Sequence, residues 1–288
     1  MNAEQELFIL QERKNNMKNI RRKKKRNFRD CIVLLIVLAV VCLAGIKVFI
    51  YENNQTVSGA DDQKNGIDLE HLYSPYAILA DANSGEILAE HSSEDRIYPA
   101  SLTKIMTAVL AIENTDDLSR TITLPDDIFR TLYEQNASMA GFLPGEEVEM
   151  KDLLYGILLP SGAECCLAFA DNIAGSEEGF VDMMNDKARE LGMKATHFCN
   201  TTGLHDPDHY STVKDISILL QYALESDIFR EVFCSSRYSV PPTAQHPQGF
   251  TFNSTMFKYM DSAEVAGGEI LRGKTGYTEE AGLRLPRL

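Results

Sequence analysis

YPASLTKIMTAVLAIE, residues 98–113, has the spacing of a helix that faces a core, yet it carries Ser101 and Lys104 three positions apart. Leu102, Ile105, Met106, Val109 and Ile112 make the apolar stripe, and the serine and lysine share a face at i and i+3. Pro99 suits a first helical turn, which puts Ser101 near the positive end of the helix dipole. A serine is a poor nucleophile until something takes its proton. A lysine one turn away can do so if burial lowers its pKa far enough to populate the neutral amine. An isolated S-x-x-K arises by chance in many chains, so its meaning depends on what accompanies it.

Two further stretches accompany it. LLYGILLPSGAECC, residues 153–166, sets Ser161-Gly162 after an apolar helical run, where a hydroxyl can be presented at a loop. GKTGY, residues 273–277, is read as Lys274-Thr275-Gly276 ending a strand, with the missing side chain of Gly276 letting another group approach the backbone.

The rest of the chain sets these motifs in an α+β frame. YAILADANSGEILAEHS, residues 76–92, reads as strand, tight turn at Asn83-Ser84-Gly85, and strand. Residues 150–173 and 176–192 are helical by period, the latter with Ser176 as N-cap, acids in its first turn and Gly192 as its stop. A third helix is expected from about Thr212 to Glu225 and a return to strand from Gly267. Strands at both ends of a helical middle predict terminal segments paired in one sheet.

From about Tyr76 to Leu283 the chain resembles the low-molecular-mass D-alanyl-D-alanine carboxypeptidases, penicillin-binding proteins of peptidase family S11. ILADANSGEILAE, PASLTKIMTA, ASMAGFLPGEEVEMKDLLYGILLPSGAE, FVDMMNDKARELGMKATHFCNTTGLHDPDHYSTVKDIS and GGEILRGKTGYTEEAGL resemble family blocks in the family's order. S-x-x-K, S-x-N and K-T-G form the motif set of penicillin-binding proteins and serine β-lactamases. The resemblance implies the transpeptidase fold shared with serine β-lactamases, an antiparallel sheet flanked by helices.

It also implies a mechanism. Ser101 would attack the carbonyl of a terminal D-Ala-D-Ala bond in a peptidoglycan stem peptide, with Lys104 as general base and Ser161 relaying a proton to the leaving amine. Lys274 and Thr275 would hold the substrate carboxylate, and the backbone N–H groups of Ser101 and Tyr277, beside Gly276, would form the oxyanion hole. β-Lactam antibiotics would acylate the same serine. No metal or organic cofactor is implied. His197, His205 and His209 lack zinc spacing and are read as polar structure near the site.

Two departures from the family pattern support a second expectation, a truncated or non-catalytic relative that binds wall peptides without turnover. The middle motif usually ends in Asn, and here it reads Ser161-Gly162-Ala163; alanine cannot hydrogen-bond the lysine unless Glu164 or water substitutes. Only twelve residues follow Gly276, and Arg284, Pro286 and Arg287 are expected to break the strand that Gly282-Leu283 begins, so the domain is expected to be C-terminally incomplete. A β-lactamase is a weaker third reading, because a separate Glu placed to activate a deacylating water is not evident.

Charge and hydropathy place the domain. Residues 1–30 hold ten Lys and Arg against four acids, leaving eighteen against thirty-eight in the remainder of a chain whose net charge is −14. An acidic body argues against nucleic acid as a partner, because phosphate binding needs a cationic face and the only one is the tail. The basic tail precedes CIVLLIVLAVVCLAGIKVFIY, residues 31–51, long enough at about 1.5 Å per residue to cross a hydrocarbon core of about 30 Å. The expectation is a cytoplasmic tail at 1–30, an N-terminal transmembrane helix at 31–51, a linker at 52–68 and an extracytoplasmic domain at 69–288. Ser58-Gly59-Ala60 would suit a cleaved signal, but it lies well past the apolar run, which favours an uncleaved anchor. Cys165 and Cys166 read as small core residues, and no disulfide pairing follows from Cys199 and Cys234.

Overall fold

The computed structural model describes residues 34–39, 67, 69, 72–256, 262–265 and 267–287. The basic tail and nearly all of the linker lie outside these residues, as does the expected membrane span apart from 34–39. Among the described residues no helix is long and apolar enough to cross a membrane.

Strand β1 (Leu34–Ala39) lies within the main sheet, and β2 (Tyr76–Asp81) and β3 (Ile87–His91) form the expected hairpin. Its turn is made by side-chain chemistry: Asp81 Oδ1 accepts from the backbone N–H groups of Asn83 (2.9 Å) and Ser84 (2.8 Å), and Gly85 takes φ +72°. A short 3-10 turn, Ala100–Leu102, leads into helix α1 (Thr103–Glu113). Strand β4 (Thr121–Thr123), α2 (Asp126–Glu134) and β5 (Glu147–Glu149) follow, with β4 and β5 paired.

Then come α3 (Met150–Leu158), α4 (Ala163–Ala174), α5 (Glu177–Glu190), α6 (Val213–Ala223) and α7 (Asp227–Phe233). Residues 150–173 are thus two helices, because Pro160 lacks a helical N–H donor and Ser161 turns left-handed at φ +73°. The Ser176 cap is as expected, its Oγ accepting from Gly179 N at 3.1 Å, and Thr212 caps α6 the same way through Asp215 N at 3.0 Å.

Hairpins β6 (Arg237–Val240) with β7 (Phe250–Asn253) and β8 (Glu264–Val265) with β9 (Gly268–Glu269) precede β10 (Gly276–Thr278) and β11 (Gly282–Arg287). The five-stranded sheet runs β10-β11-β1-β2-β3, antiparallel throughout. Three expectations are corrected here. The terminal segments share one sheet, but β11 and β2 are separated by β1. Lys274-Thr275-Gly276 leads into strand β10 at Gly276 and does not end a strand. Strand β11 also continues through Arg284 and Pro286, since proline tolerates extended backbone and its carbonyl still accepts from Lys274 N at 3.2 Å.

Helix α1 is the axis of the core. It packs against α3, α4, α5, α6 and α7, and every residue from Leu102 to Ala111 is buried. A helix enclosed on all sides has no wet face for polar groups, so each must find a partner inside. Thr107 Oγ1 donates to Thr201 O at 2.7 Å, and Thr103 Oγ1 lies 2.7 Å from His209 Nε2. Cys199 N donates to His209 Nδ1 at 3.0 Å, which leaves the proton on Nε2 to donate to Thr103.

Burial pushes His209 down from 6.5 to about 4. As pH falls, the unfolded chain therefore takes up this proton first; the stabilisation is complete above 6.5 and lost towards pH 4. Unfolding free energies of the wild type from urea titrations are expected to fall more steeply from pH 7 to pH 4 than those of His209→Gln, by up to about 1.4 kcal/mol per pH unit. Equal slopes would remove His209 from the acid response.

Candidate active site

Two lysine–serine pairs meet at the end of α1. Lys104 Nζ donates to Ser101 Oγ at 3.3 Å, one turn apart on the same helix face. Lys274 Nζ donates to Ser161 Oγ at 2.8 Å and to the Thr275 carbonyl at 2.8 Å. Lys104, Ser161 and Lys274 are buried, whereas Ser101 is half-buried and Tyr277 is exposed. The serine and lysine of the first motif, the serine of the second and the lysine of the third are therefore brought together beside the start of α1.

Electrostatics of the cleft follow from its dryness. Burial pulls Lys104 below the ordinary lysine range, against a smaller opposing pull from Cys166 and Glu164. Lys274 is pushed further down, by burial first and then by the neighbouring Lys104 charge. Two amines in one water-poor space cannot both hold protons without a counter-charge, and an arriving carboxylate is the kind of group that supplies one.

The backbone of the cleft is fixed by close approaches. A Cβ on Gly276 would stand 3.0 Å from Ser101 N, and one on Gly203 would stand 2.9 Å from the same atom and 1.9 Å from the Ala100 carbonyl. Ser101 N is thus pressed between the 200–204 turn and strand β10. Ala100 takes φ +48° beside it and Ser161 φ +73°, left-handed conformations that cost non-glycine residues about 1–3 kcal/mol each. The surrounding packing must hold both.

Ala163 offers no amide, and the anticipated substitute does not act as one. Glu164 Oε1 accepts from Ala140 N (2.7 Å) and Gly141 N (2.9 Å), so its carboxylate ties down the 138–141 segment beside Ser161. The acceptor that Lys104 finds is the Thr202 carbonyl, 2.6 Å away. Sequence reading missed it because a backbone carbonyl has no residue identity. It also missed Thr255, whose hydroxyl is 2.6 Å from that of Thr275 and orients it.

The three histidines have separate places. His205 packs edge-on against Tyr98 with its Nδ1 3.8 Å from Glu280, His197 Nδ1 lies 2.7 Å from the Asp208 carbonyl, and His209 supports α1. Cys165 and Cys166 are buried in α4, and these two, Cys199 and Cys234 are all free thiols.

Comparison with known proteins agrees with this geometry. The family model described as D-alanyl-D-alanine carboxypeptidase, Peptidase_S11, matches residues 63–286. The chain is 42% identical over 168 residues to D-alanyl-D-alanine carboxypeptidase DacF of Bacillus subtilis, covering 57% of this chain and 42% of that protein. It is 34% identical over 224 residues to DacA of Escherichia coli, covering 72% of this chain and 51% of that one. The chain spans about half the length of the curated relatives it matches.

Among solved structures it resembles a Streptomyces K15 DD-transpeptidase, with a TM-score of 0.65, 24% identity, and 74% and 88% of the two chains covered. A D-alanyl-D-alanine carboxypeptidase from Mycobacterium tuberculosis gives a TM-score of 0.62 at 24% identity over 74% and 80%. These likenesses establish the fold, that of the penicillin-binding proteins.

The tightness around Ser101 N is directly measurable. Gly203→Ala is expected to cost ~3 kcal/mol or more, as strain and a backbone collision combine. Gly192→Ala, with φ +78° but open space around it, is expected to cost only about 1 kcal/mol. Equal urea midpoints for the two variants would contradict the close approach.

Proposed function

This chain belongs to peptidase family S11, the D-alanyl-D-alanine carboxypeptidases, and from that premise we propose that it removes the terminal D-alanine from peptidoglycan stem peptides through a serine acyl-enzyme. The observation that carries this reading is the buried Lys104 amine 3.3 Å from Ser101 Oγ, beside the Lys274–Ser161 pair. Neutral Lys104 takes the Ser101 hydroxyl proton as Oγ attacks the penultimate D-Ala carbonyl. The C–N bond breaks, and Ser161 relays the proton held on Lys104 to the departing amine, which leaves Lys104 neutral again. Water then hydrolyses the ester, with Lys104 taking its proton, and Ser101 is regenerated.

The substrate carboxylate is assigned to Lys274 and the Thr275 hydroxyl, whose direction is set by Thr255. Its charge restores the proton that burial disfavours on Lys274. The N–H groups of Ser101 and Tyr277 are assigned to the developing oxyanion, a term worth about 3 kcal/mol per donor. Penicillins, carrying a strained amide and a carboxylate, are expected to acylate Ser101 as pseudo-substrates.

A labelled penicillin is expected to attach covalently to the purified protein and to be lost in Ser101→Ala. Lys104→Arg, which cannot release its proton near neutral pH, is expected to slow acylation by a factor of 10² to 10⁴. Labelling that survives Ser101→Ala would sink the assignment. Ala163 favours a second reading in which acylation outlasts turnover; labelling without D-alanine release from a pentapeptide would select it.

The basic tail and the apolar run 31–51 support attachment to the cell membrane, with the domain outside. A helix across the bilayer and strand β1 are mutually exclusive uses of residues 34–39. In spheroplasts carrying the full chain, external protease is expected to digest the domain while an epitope within residues 1–30 stays protected. Digestion of both would exclude the anchor.

A further inference from the structure

We propose that Asn200 is a positioning residue for Lys104, fixing the amine beside Ser101 through the Thr202 carbonyl; the inference rests on the serine chemistry proposed above. Asn200 Oδ1 accepts three hydrogen bonds, from Gly203 N (2.7 Å), Thr202 Oγ1 (3.1 Å) and Thr202 N (3.2 Å). Its Nδ2 donates to the Leu204 carbonyl at 2.9 Å. One side chain therefore satisfies both N–H groups and the hydroxyl of the Thr202-Gly203 turn, which leaves the Thr202 carbonyl to face the other way. Lys104 Nζ meets it there, at 2.6 Å.

The distances decide which contact holds the amine. The carbonyl contact is the shorter one, against 3.3 Å to Ser101 Oγ, so Thr202 O anchors Nζ and the serine hydroxyl is the partner it can react with. On the α4 side Ala163 provides no amide to share the task. The turn is held before and after Asn200's contacts as well: Thr201 N and Oγ1 donate to Glu177 Oε1 at 2.9 and 2.8 Å, and Gly203 abuts the Ala100 carbonyl. These outer ties place the turn as a whole; the direction of the carbonyl is left to Asn200.

A carbonyl acceptor favours the ammonium form of a lysine, so its loss has a signed consequence. Other groups facing Lys104 are Glu164, Cys165 and Cys166 on α4, with Lys274 and His209 nearby; substitution at 200 leaves all five in place. With ¹³C-labelled lysine, the Lys104 titration can be followed by NMR, its signal assigned by absence in Lys104→Arg. Asn200→Ala is expected to lower the Lys104 midpoint by about one pH unit and to slow penicillin acylation about tenfold or more. Asn200→Asp, which keeps the acceptor oxygen and adds a charge, is expected to recover part of that rate and to raise the midpoint above the wild-type value.

An Asn200→Ala protein with a lower melting temperature but an unchanged Lys104 midpoint and acylation rate would overturn the proposal. If that variant does not fold, Asn200→Asp decides: an unmoved midpoint refutes the coupling and a raised one supports it. The titration does not need turnover. A wild type that penicillin fails to label would remove the enzymatic reading, while the midpoints would still report whether Asn200 acts on Lys104.

Discussion

A fully enclosed helix that carries polar side chains must satisfy them from within, and this constraint organises the molecule. Thr103, Lys104 and Thr107 lie on α1 with no access to bulk water, and all three find their partners in residues 201–209. An unpaired buried hydroxyl or amine costs about 1–3 kcal/mol or more, so the 196–211 segment is as much a part of the core as the apolar side chains around it. Its irregular backbone is a virtue here, because a regular element would use its own carbonyls. The same requirement that stabilises the helix also sets the Lys104 amine beside Ser101.

Reactivity is built from what burial does to charge. An exposed lysine would be protonated and useless as a base; enclosure makes the neutral amine accessible without any dedicated partner. The second lysine shares the space and is destabilised as a cation for the same reason, with the neighbouring Lys104 charge adding to burial. Glu164 offsets this only in part, through its charge on Lys104, while its Oε1 serves the Ala140 and Gly141 N–H groups and its Oε2 is buried without a hydrogen-bond partner among the described residues. Under the function proposed above, the carboxylate of the substrate supplies the counter-charge that the two lysines lack.

Much of this was legible in the sequence where side-chain identity does the work. The hairpin turn is written in Asn83-Ser84-Gly85, though not its Asp81 acceptor, the start of α5 in Ser176, and the two lysine–serine pairs in three short motifs. The split between α3 and α4 was half visible, since Pro160 marks the break but the left-handed serine is set by tertiary packing. Sheet order was not legible, because the unbroken apolar run at 34–39 carries no alternation that would signal register with β2 and β11. Nor was the Thr202 carbonyl, which any residue could supply, and whose meaning comes from the turn that directs it.

The pressing of β10 against Ser101 N joins points far apart along the polypeptide. Ser101 and Lys104 lie three positions apart, whereas Gly276 meets Ser101 N from 175 positions further along the chain. Such non-local closure is entropically slow. A fragment without strand β10 would therefore hold Ser101 and Lys104 one turn apart yet lack the wall that closes on them.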